Sequence, residues 1–191
     1  MEINHPNQVW QVDITYIKVD HGFIYLVALI DVFSRRIMGW SLSPFLDTAS
    51  CIEALENALV YGTPEIINSD QGAQFTSRLW CDKVEGLMIK ISMDGKGRWA
   101  DNVYIERFWR SAKYEEVNLH GYDTVQQARR SLAKYIAFYN GQRPHQALGY
   151  RTPDQVFEYD YKKGLSHKFD LDFGLPLTNL RDSEILGQTV S

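Results

Sequence analysis

The chain has 191 residues, of which 45% are hydrophobic and 13% aromatic, enough for one domain with its own core and too apolar for a disordered segment. It holds no run of about 18 apolar residues, which excludes a membrane-spanning helix, and Met1 to Trp10 lack the apolar stretch of a secretory signal, so a cytoplasmic protein is expected. The net charge of -4 excludes a uniformly basic nucleic-acid binder. Cys51 and Cys81 lack metal-ligand spacing and are expected to be reduced and buried.

Val9 to Val19 alternates apolar and polar residues and predicts a strand. Asp20-His21-Gly22 reads as a hairpin turn in which Gly22 takes positive φ. Phe23 to Val32 is almost continuously apolar, as in a strand buried on both faces. Arg35 to Leu42 predicts a third strand, completing an antiparallel meander. Thr48 to Tyr61 has helical spacing, with Ile52, Leu55, Leu59 and Val60 on one side. A short strand over Glu65 to Asn68 follows the Thr63-Pro64 turn. Ser77 to Glu85 predicts a helix with Gly86 as its C-cap, and Met88 to Ser92 another strand. After a glycine-containing loop over Asp94 to Gly97 come two helices, Asp101 to about Asn118 and Thr124 to Asn140.

The order β-β-β-α-β-α-β-α-α implies an α/β domain: a ribonuclease-H-like mixed five-stranded sheet flanked by helices. Residues 1–157 form this core. Residues 158–191 lose clear periodicity and are expected to form a loosely ordered tail. Fold of this kind does not by itself fix function.

Charge is unevenly spread. Between Lys96 and Lys113 five basic residues (Lys96, Arg98, Arg107, Arg110, Lys113) face two acidic ones, a local stripe able to steer a polyanion. Three carboxylates stand where such a fold could use them. Asp13 lies inside the first strand, where an unpaired charge is costly. Asp70 follows the Ile66-Ile67-Asn68-Ser69 strand, with Gly72 just beyond. Glu106 lies on the helix after the glycine loop, with 35 residues separating it from Asp70. On a wheel of about 100° per residue, Asn102, Glu106, Arg110 and Lys113 share one polar stripe. Glu106 with Arg110 also reads as an ordinary i,i+4 surface pair. Asp31, the competing strand carboxylate, precedes Ser34-Arg35-Arg36 and reads as a turn residue. Clustered carboxylates suit hard cations such as Mg²⁺. Two such ions about 3.5–4 Å apart activate an attacking oxygen and stabilise a leaving one in phosphoryl displacement.

Four stretches carry a resemblance: NQVWQVDITYI at 7–17, SDQGAQFTS at 69–77, SMDGKGRWADNVYIERFWRSAKYEEV at 92–117 and FYNGQRPHQALGYRTPDQVF at 138–157. Together they resemble the OrfB transposases of the insertion-sequence-three family, DDE enzymes with a retroviral-integrase-like core. The resemblance implies that Asp13, Asp70 and Glu106 are the catalytic triad and hold two Mg²⁺ or Mn²⁺ ions. It implies cleavage at element ends and attack of a 3′-hydroxyl on target DNA, in a cytoplasmic, nucleoid-associated setting. Lys96, Asn102, Arg110 and Lys113 would then serve DNA near the metals, Asn102 by positioning the loop. Arg143 and His145 would touch DNA or would cap and pack their junction. Trp80, Trp99 and Trp109 read as core or interface anchors, or as base-stacking platforms. Family members usually carry an upstream helix-turn-helix region, which is missing ahead of Asp13. A homo-oligomer, or a complex with a helix-turn-helix subunit, is therefore the expected assembly. The alternative is an inactive or regulatory fragment acting through mixed oligomers with full-length transposase.

Overall fold

The computed structural model describes residues 2–20, 22–93 and 102–161. The elements are β1 (Val9–Val19), β2 (Gly22–Asp31), β3 (Ile37–Ser43), α1 (Thr48–Leu59), β4 (Ile66–Ser69), α2 (Arg78–Gly86), β5 (Lys90–Met93), α3 (Val103–Ala112), a π-helical turn (Lys113–Val117), α4 (Asn118–His120) and α5 (Val125–Gly141). A 3₁₀ turn at Gln146–Leu148 follows, and residues 153–161 are again helical. The expected loop at Asp94 to Gly97, Lys96, Arg98 and Trp99, and residues 162–191 of the expected tail, lie outside the described residues.

Five strands form one sheet in the order β3-β2-β1-β4-β5. β1, β2 and β3 are the expected antiparallel meander, while β4 joins β1 and β5 joins β4 in parallel. The mixed sheet follows from the connections: tight turns give antiparallel neighbours, and the helical crossovers α1 and α2 give parallel ones. Gly22 adopts φ +133, as the hairpin at the end of β1 requires.

β2 is buried on both faces, in keeping with its apolar run. Ile24, Leu26, Ala28 and Ile30 join Ile17 and Val19 of β1 under α3 and α5. Val27 and Leu29 point the other way, with Trp10, Val12 and Met38, under α1 and α2. The alternation of side chains along each strand thus builds two cores, one per face. Among the described residues no helix is long and apolar enough to cross a membrane. Cys51 and Cys81 are both free thiols, and burial pushes the Cys51 thiol up to about 12.

Two local expectations are corrected. Gly86 does not cap α2 but is its last residue; Leu87 caps it, and Met88 takes the left-handed turn at φ +59. The helix expected from Asp101 to Asn118 runs from Val103 to His120 and carries a π-turn at Lys113–Val117. That turn swings Glu116 inward, where its buried carboxylate accepts hydrogen bonds from the Tyr122 hydroxyl at 2.9 Å and from the Ser131 hydroxyl.

Candidate active site

β1 and β4 pair in register from Val9↔Ile66 to Gln11↔Asn68. Carried two residues further, that register sets Asp70 beside Asp13. Both line a cleft of about 210 Å³ together with Tyr16, Leu46 and Gln74. Asp70 belongs to a tight turn in which its Oδ1 accepts the Gly72 N–H at 2.9 Å. A Cβ at position 72 would stand 2.9 Å from that oxygen, so a larger residue there would displace the Asp70 carboxylate.

Asp13 is half-buried at mid-strand and points toward α3. Its Oδ1 accepts from the backbone N–H of Ile14 at 2.8 Å, and its Oδ2 from the Trp109 indole N–H at 2.9 Å. Burial raises its pKa above the ordinary aspartate value, against those two hydrogen bonds, and the charges of Asp70 and Glu106 raise it further. The three carboxylates therefore share one electrostatic neighbourhood.

α3 is anchored over β1 by Gln11, a buried residue two positions before Asp13 on the same face of the strand. Its Oε1 accepts from the Tyr104 and Ile105 backbone N–H groups, both at 3.1 Å. This satisfies donors that the first turn of a helix leaves open. Asn102 occupies the N-cap position without making a side-chain cap bond. Glu106 lies one turn along α3, exposed, three residues before Trp109. Lys113 stands 4.9 Å above the ring of Tyr16, on the rim of the cleft, and Arg110 is exposed on α3.

The RPH segment is engaged differently. Arg143 forms a two-pronged pair with Glu115, Nη2 to Oε1 at 2.5 Å and Nε to Oε2 at 2.9 Å. His145 is half-buried with its ring 4.7 Å from that of Tyr139, edge to face. Asp31 is fully buried at the end of β2 and accepts three hydrogen bonds, from Asn7 N, Ser34 N and Ser34 Oγ, so it organises the β2–β3 turn. Trp80 lies in the core. Gln11, and the hydrogen bond that the Trp109 indole makes to Asp13, are supports of this cleft that the sequence did not reveal. For Gln11 the one available signal was a polar amide on the Asp13 face of an otherwise apolar strand.

The donor chemistry suits a hard divalent cation. Each Asp13 oxygen accepts one hydrogen bond and keeps a lone pair free, and the mutual repulsion felt at Asp13 is the penalty that a cation relieves. As placed, however, no three His, Cys, Asp or Glu side chains among the described residues stand close enough to share one ion.

Comparison with known proteins places this geometry. A family model described as the integrase core domain matches residues 3–98, and a second of the same description matches residues 87–153. The transposase for insertion sequence element IS904 of Lactococcus lactis subsp. lactis (strain IL1403) is 35% identical over 159 residues, covering 81% of this chain and 63% of that protein. The transposase InsF for insertion sequence IS3A of Escherichia coli (strain K12) is 33% identical over 154 residues, covering 78% and 54%. The resemblance to insertion-sequence-three transposases is thereby borne out, and the chain spans between about half and two thirds of the length of these curated relatives. The HTLV-2 integrase catalytic core domain in complex with magnesium superimposes with a TM-score of 0.63 at 21% identity, over 80% of this chain and 97% of that one. The fold is accordingly the expected ribonuclease-H-like one. Matched in both its halves by integrase-core models, the chain belongs to the integrase core domain family.

Proposed function

We propose that this chain is the catalytic core of a DDE transposase, cleaving DNA at element ends and joining the 3′-hydroxyls to target DNA. The observation that carries the reading is the shared field at Asp13. Two further carboxylates, one from the neighbouring parallel strand and one from α3, press on a half-buried aspartate in an integrase-core fold. Asp13, Asp70 and Glu106 would hold two Mg²⁺ or Mn²⁺ ions, Glu106 by rotating inward from its exposed position. The ions, when bound, supply the charge that activates the attacking oxygen and stabilises the leaving one.

The protein's own groups do the rest by orientation. Trp109 and the Ile14 amide fix the plane of the Asp13 carboxylate. Gln11 sets where α3, and so Glu106, begins. Gly72 brings the turn backbone against Asp70. Lys113 and Arg110, with Lys96, would hold DNA phosphates, and Asn102 would steady the loop before α3. Holding groups in attack geometry in advance removes an entropic barrier that the reaction otherwise faces. A homo-oligomer, or a complex with a helix-turn-helix subunit of the same element, would complete the machinery for end recognition, in a cytoplasmic, nucleoid-associated setting.

The test is Glu106→Gln in a strand-transfer assay on a pre-nicked substrate, alongside thermal melting. Gln keeps the shape and loses the charge that holds a cation. We expect transfer to be abolished with Tm unchanged. Full activity with Mg²⁺ would refute the assignment of Glu106, and a collapsed melting transition would make it a structural residue.

A further inference from the structure

The RPHQALGYRTP segment folds into a compact loop beside the start of α3. His145 N–H donates to the Arg151 carbonyl at 3.1 Å and Tyr150 N–H to the His145 carbonyl at 2.9 Å, closing the loop on itself. Gly149 and Tyr150 both take left-handed backbone, each at φ +63, and Leu148 anchors the loop in the core. Between this loop, the β2–β3 turn and Tyr104 lies an open cleft of about 660 Å³.

Two guanidinium groups line it, Arg35 and Arg151. Arg35 holds its backbone at φ +66, a conformation that is strained for a non-glycine residue. Its side chain is half-buried, with the guanidinium carbon over the Tyr104 ring, 3.6 Å from the centroid. The carboxylate nearest in sequence, Asp31, has its oxygens committed to Asn7 and Ser34. Arg151 donates its Nε to the Leu148 carbonyl at 3.2 Å. Among the described residues neither arginine forms an ion pair, although acidic side chains outnumber basic ones 24 to 20 in this chain. Burial also presses on the Arg35 charge and lowers its pKa, against smaller opposing contributions from Tyr104, Tyr139 and Asp31, so the arrangement keeps a cation where solvation is poor.

A guanidinium presents its N–H donors in a planar fork matched to two oxygens of one phosphate. We propose that this cleft is a second DNA-contact site, in which Arg35 and Arg151 clasp a backbone phosphodiester away from the carboxylates. The assignment rests on the DNA-processing reading above. Tyr104 lines the cleft and Glu106 follows it by two residues on the same helix, so α3 borders both sites. A duplex strand carries one phosphate per roughly 3.4 Å of axis. DNA with its scissile phosphate at the carboxylates therefore presents another phosphate to the arginines a few nucleotides away.

The test is fluorescence anisotropy on a labelled duplex over a salt series, with the whole chain, its Arg35→Gln and Arg151→Gln variants, and Arg78→Gln as control. Arg78 is an exposed α2 residue paired with Asp82. Each cleft variant should bind several-fold more weakly and flatten the log-log salt slope by about one, the loss of one phosphate contact. The control should keep the wild-type curve. Arg151→Gln carries the test alone if Arg35→Gln fails to melt cooperatively. A wild type that binds DNA while Arg151→Gln and any folded Arg35→Gln keep its slope overturns the site but leaves the proposed function standing. A wild type that binds no DNA at any salt overturns both. Inorganic phosphate, added at constant ionic strength, should leave the wild-type titration unmoved. If it instead reproduces the Arg151→Gln curve, the cleft takes free phosphate and the backbone assignment falls.

Discussion

Glu115 and Arg143, 28 residues apart in the chain, form the most elaborate ion pair of the molecule's described part, with the Tyr135 hydroxyl donating to the same carboxylate at 2.9 Å. The Arg143 hydrogen bonds hold the Glu115 carboxyl below the ordinary glutamate value, against a smaller effect of burial. A depressed carboxylate contributes stability at pH values above its unfolded pKa, about 4.3, and that contribution is lost as pH falls through the lower folded value. Arg143→Gln should therefore lower Tm at neutral pH, with the gap to wild type closing below about pH 4. A gap that stays constant down to pH 3 would show that packing on Tyr139, not the charge pair, is what Arg143 supplies. From sequence, Arg143 and His145 stood open between DNA contact and junction packing. The structure engages both in packing, Arg143 with Glu115 and His145 against Tyr139. The supports of the carboxylate cleft were illegible for a different reason. Gln11 with Tyr104 and Asp13 with Trp109 are joined across 93 and 96 residues, and no local pattern encodes such pairs.

At the scale of elements, β3 against α1 shows how closely the layers meet. A Cβ on Gly39 would stand 2.4 Å from both the Ala54 carbonyl oxygen and the Ala58 nitrogen, backbone atoms that cannot rotate away. Gly39→Ala should destabilise the fold by about 1–3 kcal/mol through overpacking, read as a drop of several degrees in Tm. An unchanged Tm would mean that α1 shifts without cost. Nearly every strand and helix was legible in outline, because the apolar run of β2 and the alternation of β1 report burial directly. The caps of α1, α2 and α5 are also written locally: Asp47, Ser77 and Thr124 each accept a backbone N–H three residues on. What eluded the pattern were features set by tertiary demand. The π-turn at Lys113–Val117 follows from hydrogen bonds to Glu116 made by Tyr122 and Ser131, and a helical wheel carries no sign of them.

For the whole molecule, net charge and extent are the governing facts. A chain at -4 meets a polyanion slowly unless local charge overrides the sum. Its basic groups lie where they would meet phosphates, which position DNA but carry no sequence information. Reading an element end requires side chains at base edges in a groove, usually from an inserted helix. The chain alone is thus expected to bind an inverted-repeat end and a scrambled duplex with closely similar affinity. Discrimination of roughly a hundredfold, approaching that of specific over non-specific sites, would contradict this and would reveal a reading element inside the core.

The register of β1 with β4 has one more consequence. Asp13 and Asp70 are separated by a long stretch of chain, yet the strands that deliver them are paired by interstrand backbone hydrogen bonds up to Gln11 and Asn68, at a pitch of about 4.8 Å that is the same in every sheet. The gauge of the site is therefore a property of the peptide group rather than of any side chain.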